Sequence, residues 1–234
     1  MSILSAHQPH FLPWPSYFLK ILRSDVFIIL DDVQFRKNYF QNRCEILGVG
    51  CKEKQWLTLP IKKNISSKSM IKDIPFSEKF HVNDILLKLE LSYCRSPFYE
   101  LVYTDLKNLL LSLDKSLCDF NIKTLLWCLK ILNIQKEVVI SSNIGMPIEQ
   151  NPTQKLINLC LHYNASSYLS GPGGRNYMDL CLFRENKINV LWHDPKDINL
   201  SYNQSFNPFI PNLSILDMFF YVGYDKSAAL LRGK

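Results

Sequence analysis

His7 and Gln8 follow a short apolar run, Ile3 to Ala6, and Asp31 and Asp32 follow another, Val26 to Leu30. An imidazole beside a carboxylate is the pairing a general base requires, because the acid fixes the ring tautomer and raises its basicity. His7, Asp31 and Asp32 are therefore the candidate catalytic residues; the alternative is a structural histidine bonded to a strand-end acid. Two adjacent carboxylates also suit Mg²⁺ held with a nucleotide's phosphates. From Asp31 to Arg43 the chain alternates charges, amides and aromatics. Arg36, Lys37 and Arg43 can reach a phosphate, the arginines through paired N–H donors. Tyr39, Phe40 and Trp56 can stack on a base or a sugar face. The competing account of this tract is an amphipathic edge hairpin with ordinary surface charges. Gly171-Pro172-Gly173-Gly174 can turn backbone N–H groups toward an anion, or serve as a plain turn. His10, His81, His162 and His193 have no metal-ligand spacing with cysteine, so no metal site is expected. Cys44 beside Arg43 has no local base, and burial is its expected fate.

These groups meet only if particular elements carry them. Ile3–Ala6 and Val26–Leu30 read as strands, the second apolar on both faces as a central parallel strand is. Tyr17, Phe18, Ile21 and Leu22 recur at helical spacing, which predicts a helix near 15–24 between them. A second strand–helix–strand unit follows: Glu137–Ser141, a helix capped by Asn151 with Pro152 at its first position, and Ser167–Ser170. Lys187–His193 reads as a further strand. Between the two units lie two helices, one capped by Ser96 with Pro97 first and one over about 116–132. At the end, Asn212 or Ser214 caps a helix that Gly223 stops. The expected fold is an α/β, Rossmann-like open sheet, mostly parallel, with a helical insertion between two βαβ units. It is read as a single domain over 1–234, with a basic irregular segment at about 36–75 and the insertion at about 76–134. Ligands of such sheets bind beyond the carboxyl ends of the strands. His7 and Gln8, Asp31 and Asp32, Ser141 and Ser142, and Ser170 with Gly171 all fall there.

Charge narrows the ligand. The chain has 27 Lys and Arg and 21 Asp and Glu, a formal charge of +6. From Arg36 to Lys72 there are nine basic residues and two acids, a net +7, so the rest sums to −1. One basic segment on a near-neutral chain fits a phosphorylated ligand, a nucleotide or an RNA end better than a coat for duplex nucleic acid; the alternative is a solvated Lys-rich loop. The chain lacks GxxxxGK[ST] and a GxGxxG between strand and helix, which excludes the common phosphate-binding fingerprints. Seven cysteines, an odd count with no CxxC, argue for free thiols. With no signal peptide and no membrane-length apolar run, the protein is expected to be soluble and cytoplasmic, with no membrane partner.

The tract HQPHFLPWPSYFLKILRSDVFIILDDVQFRKNYFQNR resembles the opening of the WbqC-like family, with its His-Gln-Pro-x-aromatic-Leu-Pro-Trp signature and downstream Asp-Asp-Val-Gln-Phe. WLTLPIKK at 56–63, YLSGPGGRNYMD at 168–179 and FIPNLSILDMFFYVG at 209–223 resemble its later blocks, in order. One departure is Ser16, where the family usually has Gly before the tyrosine of the first helix. The resemblance implies a setting in bacterial O-antigen and lipopolysaccharide biosynthesis. The implied activity is that of a transferase, moving an acyl or aminoacyl group, glycine included, to the amine of a dTDP- or UDP-linked amino sugar. Candidate acyl donors are an aminoacyl-tRNA, an adenylate made from ATP with Mg²⁺, or a carrier thioester. An ATP-dependent ligase on the same substrates and a non-catalytic nucleotide-sugar binding or scaffold protein are the alternatives. Carried over by position, the substrate-binding candidates are Gln8, Trp14, Gln34, Arg36, Lys37, Asn42, Arg43, Lys63, Ser170, Gly171 and Tyr177. Pro13 and Asp217 match the family pattern as well.

Overall fold

The computed structural model describes residues 2–50, 53–66, 68–112, 116–147, 149–195, 200–204 and 208–233. In chain order its elements are β1 (Ile3–His7), α1 (Pro15–Leu22), β2 (Val26–Ile29), β3 (Arg43–Leu47), β4 (Lys54–Thr58), α2 (Val82–Tyr93), α3 (Tyr99–Leu111), α4 (Leu117–Ile131), β5 (Glu137–Ile140), α5 (Pro152–His162), β6 (Ser167–Ser170), α6 (Leu180–Glu185), β7 (Asn189–Trp192) and α7 (Ile215–Leu231). Two compact units form. The first takes Met1–Gln8, Ser16–Asp31 and Gln135–Asn199; the second takes Pro9–Pro15, Asp32–Ile134 and Leu200–Lys234.

The first unit is a five-stranded sheet in the order β5-β2-β1-β6-β7, with every neighbouring pair parallel. The expected Rossmann-like sheet is present. Counted along the chain, its strands lie in the order third, second, first, fourth, fifth, which is the doubly wound arrangement with its topological switch between β1 and β6. Side chains alternate across the sheet. Leu4, Ala6, Val26, Ile28 and Tyr168 pack with Leu156, Ile157 and Cys160 of α5 and Phe183 of α6. The opposite face of β1 carries Ser5 and His7 toward α1: the Ser5 hydroxyl meets that of Ser24 at 2.9 Å, and the His7 ring meets Tyr17 edge-on at 4.7 Å. The cap expected of Asn151 is made, its side chain accepting from the N–H groups of Thr153 and Gln154 with Pro152 behind it.

In the second unit, β3 and β4 form an antiparallel hairpin, running from Arg43 opposite Thr58 to Leu47 opposite Lys54. The basic segment is thus not irregular throughout: its middle is an ordered two-stranded ladder. The insertion holds three helices rather than two. α2 escapes the sequence pattern because Leu87 and Leu91, apolar yet exposed, blur the stripe of Ile85, Leu86, Leu89 and Tyr93. The cap placed at Ser96 is corrected too. α3 starts at Tyr99, and the Ser96 hydroxyl donates back to the Tyr93 carbonyl at 2.7 Å, closing α2 instead.

α7 is capped by Ser214, as one of the two expected caps. Gly223, with φ 73° and ψ 178°, is non-helical and ends the first helical stretch as expected; a second stretch continues beyond this kink to Leu231. A Cβ at Gly223 would lie 2.7 Å from the Phe98 ring. In the first turn of α7, Asp217 is fully buried. It accepts hydrogen bonds from Tyr202 at 2.6 Å, Gln204 at 2.6 Å and Tyr93 at 3.1 Å, and the Tyr93 hydroxyl itself accepts the Leu47 N–H at 3.0 Å. Burial pushes the Asp217 carboxyl up to about 6 even against these three donors. Among the described residues no helix is long and apolar enough to cross a membrane.

Candidate functional site

In the first unit, the carboxyl end of β1 brings His7 and Gln8 to the switch point, and the end of β6 brings Ser170 and Gly171 to its other side. His7 Nδ1 lies 3.1 Å from the Gln8 carbonyl, which also accepts the Tyr17 hydroxyl at 3.0 Å. A carbonyl only accepts, so Nδ1 carries the proton and Nε2 keeps the lone pair. Burial, and then the charge of Lys20, lower His7 to about 3. The ring is therefore neutral and weakly basic at physiological pH. The expected aspartate that would raise its basicity is not Asp31, whose two oxygens take the N–H of Ser142 at 2.9 Å and its hydroxyl at 2.5 Å. The strand ends explain this. The ladder ends where Ile29 pairs with Ile140, and the 3-10 turn Ser141–Ile144 that follows β5 presents Ser142 to Asp31 just past β2.

α1 closes over the same end of β1. Lys20, only 4% exposed, donates to the Ala6 carbonyl at 2.8 Å, and burial lowers its amine to about 7. His193, just past β7, lies with Nε2 2.8 Å from the Ser16 carbonyl and 2.9 Å from its hydroxyl, and with Nδ1 3.1 Å from the Arg23 guanidinium. The carbonyl accepts and the guanidinium donates, which fixes the Nε2–H tautomer. Burial, with Arg23 and Lys20 nearby, holds this ring below the ordinary histidine range. Ser170 is buried, its hydroxyl donating to the Gly171 carbonyl at 3.0 Å, while a side chain at Gly171 or Gly173 would meet open space.

In the second unit, seven side chains gather into an aromatic and cationic cluster. Trp14 lies 4.9 Å from Phe40, Phe40 lies 5.5 Å from Trp56, and the buried His10 ring lies 5.5 to 5.8 Å from Trp14, Tyr39 and Phe40. The Arg43 guanidinium stacks 4.0 Å over Trp56, and Arg36 lies 4.5 Å over Tyr39. The loop that presents His10 and Trp14 is pinned at both ends. Asn121 of α4 donates to the carbonyls of Pro9 and Gln41 at 3.0 and 2.7 Å, and Ser214 donates to the carbonyl of Leu12 at 2.7 Å. Leu12 is held at φ 41°, a left-handed conformation that a branched side chain adopts only under such restraint. Stacked arginine on aromatic rings is a surface for a planar or phosphorylated group.

The sequence profile of the WbqC-like protein family matches residues 8–229. The chain belongs to the WbqC-like protein family. A relative from Mycobacterium tuberculosis, strain ATCC 25618 / H37Rv, named uncharacterized protein Rv1507c, is 29% identical over 228 residues, which is 92% of each chain. No solved structure matches.

In this WbqC-like chain the family-like positions divide between the units. His7, Gln8, Asp31, Ser170, Gly171 and Tyr177 lie in the first; Trp14, Asp32, Gln34, Arg36, Lys37, Asn42, Arg43 and Lys63 lie in the second. Trp14, Arg36 and Arg43 join the aromatic cluster. Asn42 is buried and donates to the Leu59 carbonyl at 3.1 Å, holding the hairpin. Lys37, Lys63 and Gln34 are exposed, as is Tyr177, whose carbonyl accepts the Thr153 hydroxyl at 3.4 Å. Ser16, the departure from the family pattern, is the anchor of His193. Lys20, Arg23 and Asn121 went unread in the sequence, and His193 was weighed there only as a metal ligand; a single Lys inside the apolar face of α1 was the available signal. Among the described residues no three His, Cys, Asp or Glu side chains form a metal-ligand set. Cys44 is buried and its thiol pushed up to about 12, chiefly by that burial, which makes it unreactive.

Proposed function

We propose that this WbqC-like protein transfers an acyl or aminoacyl group, glycyl included, to the amine of a dTDP- or UDP-linked amino sugar used in surface-polysaccharide synthesis. The observation that carries this reading is the switch point of the parallel sheet, where open doubly wound folds bind nucleotides, with His7–Gln8 on one side and Ser170–Gly171 on the other. Held neutral, His7 is a hydrogen-bonding group of the switch point, in place of the general-base role expected from sequence. The open turn at Gly171 and Gly173 lets a ligand approach backbone closely. Within the second unit, the Arg43–Trp56 and Arg36–Tyr39 stacks are by themselves a cationic and planar surface suited to a phosphorylated ligand. The donor is an activated ester, mixed anhydride or thioester: an aminoacyl-tRNA, an acyl adenylate or a carrier thioester.

Incubation with a panel of dTDP- and UDP-amino sugars, amino acids, ATP and charged tRNA, read by mass spectrometry, tests this. The expected product is the sugar nucleotide carrying one acyl increment. Omitting ATP and tRNA in turn identifies the donor, and ATP conversion to AMP that depends on both amine and acid marks a ligase. Tight sugar-nucleotide binding with no product under any donor overturns the transferase reading in favour of a binding protein.

A further inference from the structure

The strongest unused group is Lys20. It sits at the carboxyl end of the central strand, and its amine has one partner among the described residues, the Ala6 carbonyl at 2.8 Å. No carboxylate of the described residues forms an ion pair with it. Around it stand His7 at the end of β1 and His193 past β7, both neutral nitrogen bases. Arg23 and Asp194 act on His193. An ammonium has three N–H donors and a full charge to satisfy. A 4% exposed site with one acceptor leaves two donors and that charge uncompensated, so the fold favours the neutral amine. The neutral amine needs only what the site gives: one N–H on Ala6, with its lone pair unused. Burying an amine without an ion pair costs stability, so such a lysine is a candidate for function.

We infer that Lys20 is the proton acceptor of the site, the group that deprotonates the sugar amine as it attacks the acyl carbon. The inference rests on the proposed function and names a residue for it. The C–N bond forms while the C–O or C–S bond to the donor breaks. The proton on the attacking nitrogen moves to Lys20 Nζ and then to the leaving oxygen or sulfur. The titration of the two groups supports this division of labour: burial lowers Lys20 to about 7, whereas His7 lies near 3, too weak a base for an amine.

Two measurements on the whole chain test the inference. The first follows ¹³Cε lysine resonances against pH, with Lys20 assigned by its absence in Lys20→Arg. Lys20 is expected to titrate near neutrality, well before the surface lysines, whatever the reaction turns out to be. The second follows transfer to an amino-sugar nucleotide. Lys20→Gln and Lys20→Arg, folded as judged by thermal unfolding, are expected to lose about a hundredfold or more in kcat at neutral pH with KM little changed. Arginine keeps the donor to Ala6 but cannot accept a proton. The loss in Lys20→Gln shrinks at alkaline pH, where the substrate amine is already neutral. Lys20 titrating with the surface lysines overturns the inference, and so does full kcat in Lys20→Gln at neutral pH; both leave the transferase reading intact. No transfer by the wild type with the whole panel fells that reading, and the base role with it, while the lysine titration still reports on the neutral amine.

Discussion

Asp31 gives both of its carboxylate oxygens to a single residue, Ser142, through that residue's backbone N–H and its hydroxyl. The pair ties the end of β2 to the turn after β5. Charge-assisted hydrogen bonds of this kind contribute more than neutral ones. Asp31→Ala is expected to destabilise the fold by about 1–3 kcal/mol, and Ser142→Ala by less because the backbone N–H remains. Urea unfolding of the two variants checks this. A stable Asp31→Ala that loses only turnover would instead return Asp31 to the chemistry.

Asp217 makes stability depend on pH in an unusual direction for a carboxylate. Its folded value, about 6, lies above its ordinary 3.8, so the folded state binds the proton more tightly than the unfolded chain does. Its contribution is full below the ordinary value and is lost as pH rises through about 6. The loss amounts to about 3 kcal/mol between the two limits. Asp217→Asn keeps an acceptor for Tyr202 and removes the titration. The difference in unfolding free energy between wild type and Asp217→Asn, measured from pH 4 to 7.5, is expected to change with this sign; a flat difference refutes it.

Arg43 and Trp56 should act as one surface. Arg43→Ala and Trp56→Ala are each expected to raise KM for the sugar nucleotide several-fold, and added salt should weaken binding in the wild type more than in Arg43→Ala. Arg43→Lys is not a rescue, because an ammonium cannot stack as the planar guanidinium does. Lys226, exposed on α7, is the control. If Lys226→Ala raised KM as much as Arg43→Ala, the stack would have no special part in binding.

Gly223 combines a left-handed φ of 73° with the Phe98 ring where a Cβ would go. Gly223→Ala is expected to lower stability by about 2 kcal/mol or more. Adding Phe98→Leu relieves the collision but not the backbone, so it should recover only part of the loss. Thermal unfolding of the single and double variants separates the two contributions.

Much of the sheet was legible because its strands are short apolar runs, and β2 in particular, Val26–Ile29, has no polar residue to confuse the pattern. Helix starts were legible where a side chain does the capping, as at Asn151, Ser116 and Ser214. They failed at α3, whose preceding Phe98 makes no side-chain cap. His7 could be placed at a strand end, but its environment could not. Its hydrogen-bond partner is the backbone of Gln8, and Asp31 is drawn to Ser142 by a strand pairing that spacing along the chain does not encode. Ser16 and His193 are 177 residues apart, and only the folded sheet brings them together.

The strand that carries His7 has a second consequence, in the time order of synthesis. β1 finds β2 within about twenty residues, but its other edge waits for β6, about 160 residues later along the chain. At ribosomal speeds of about 5–20 residues per second, that edge stays bare for about 8–30 s. An unpaired strand edge is a template for any neighbouring chain. The innermost strand of the finished sheet is thus the outermost flank of the nascent one. Crowded polysomes, where such bare edges lie close together, are a setting in which this architecture is exposed to aggregation.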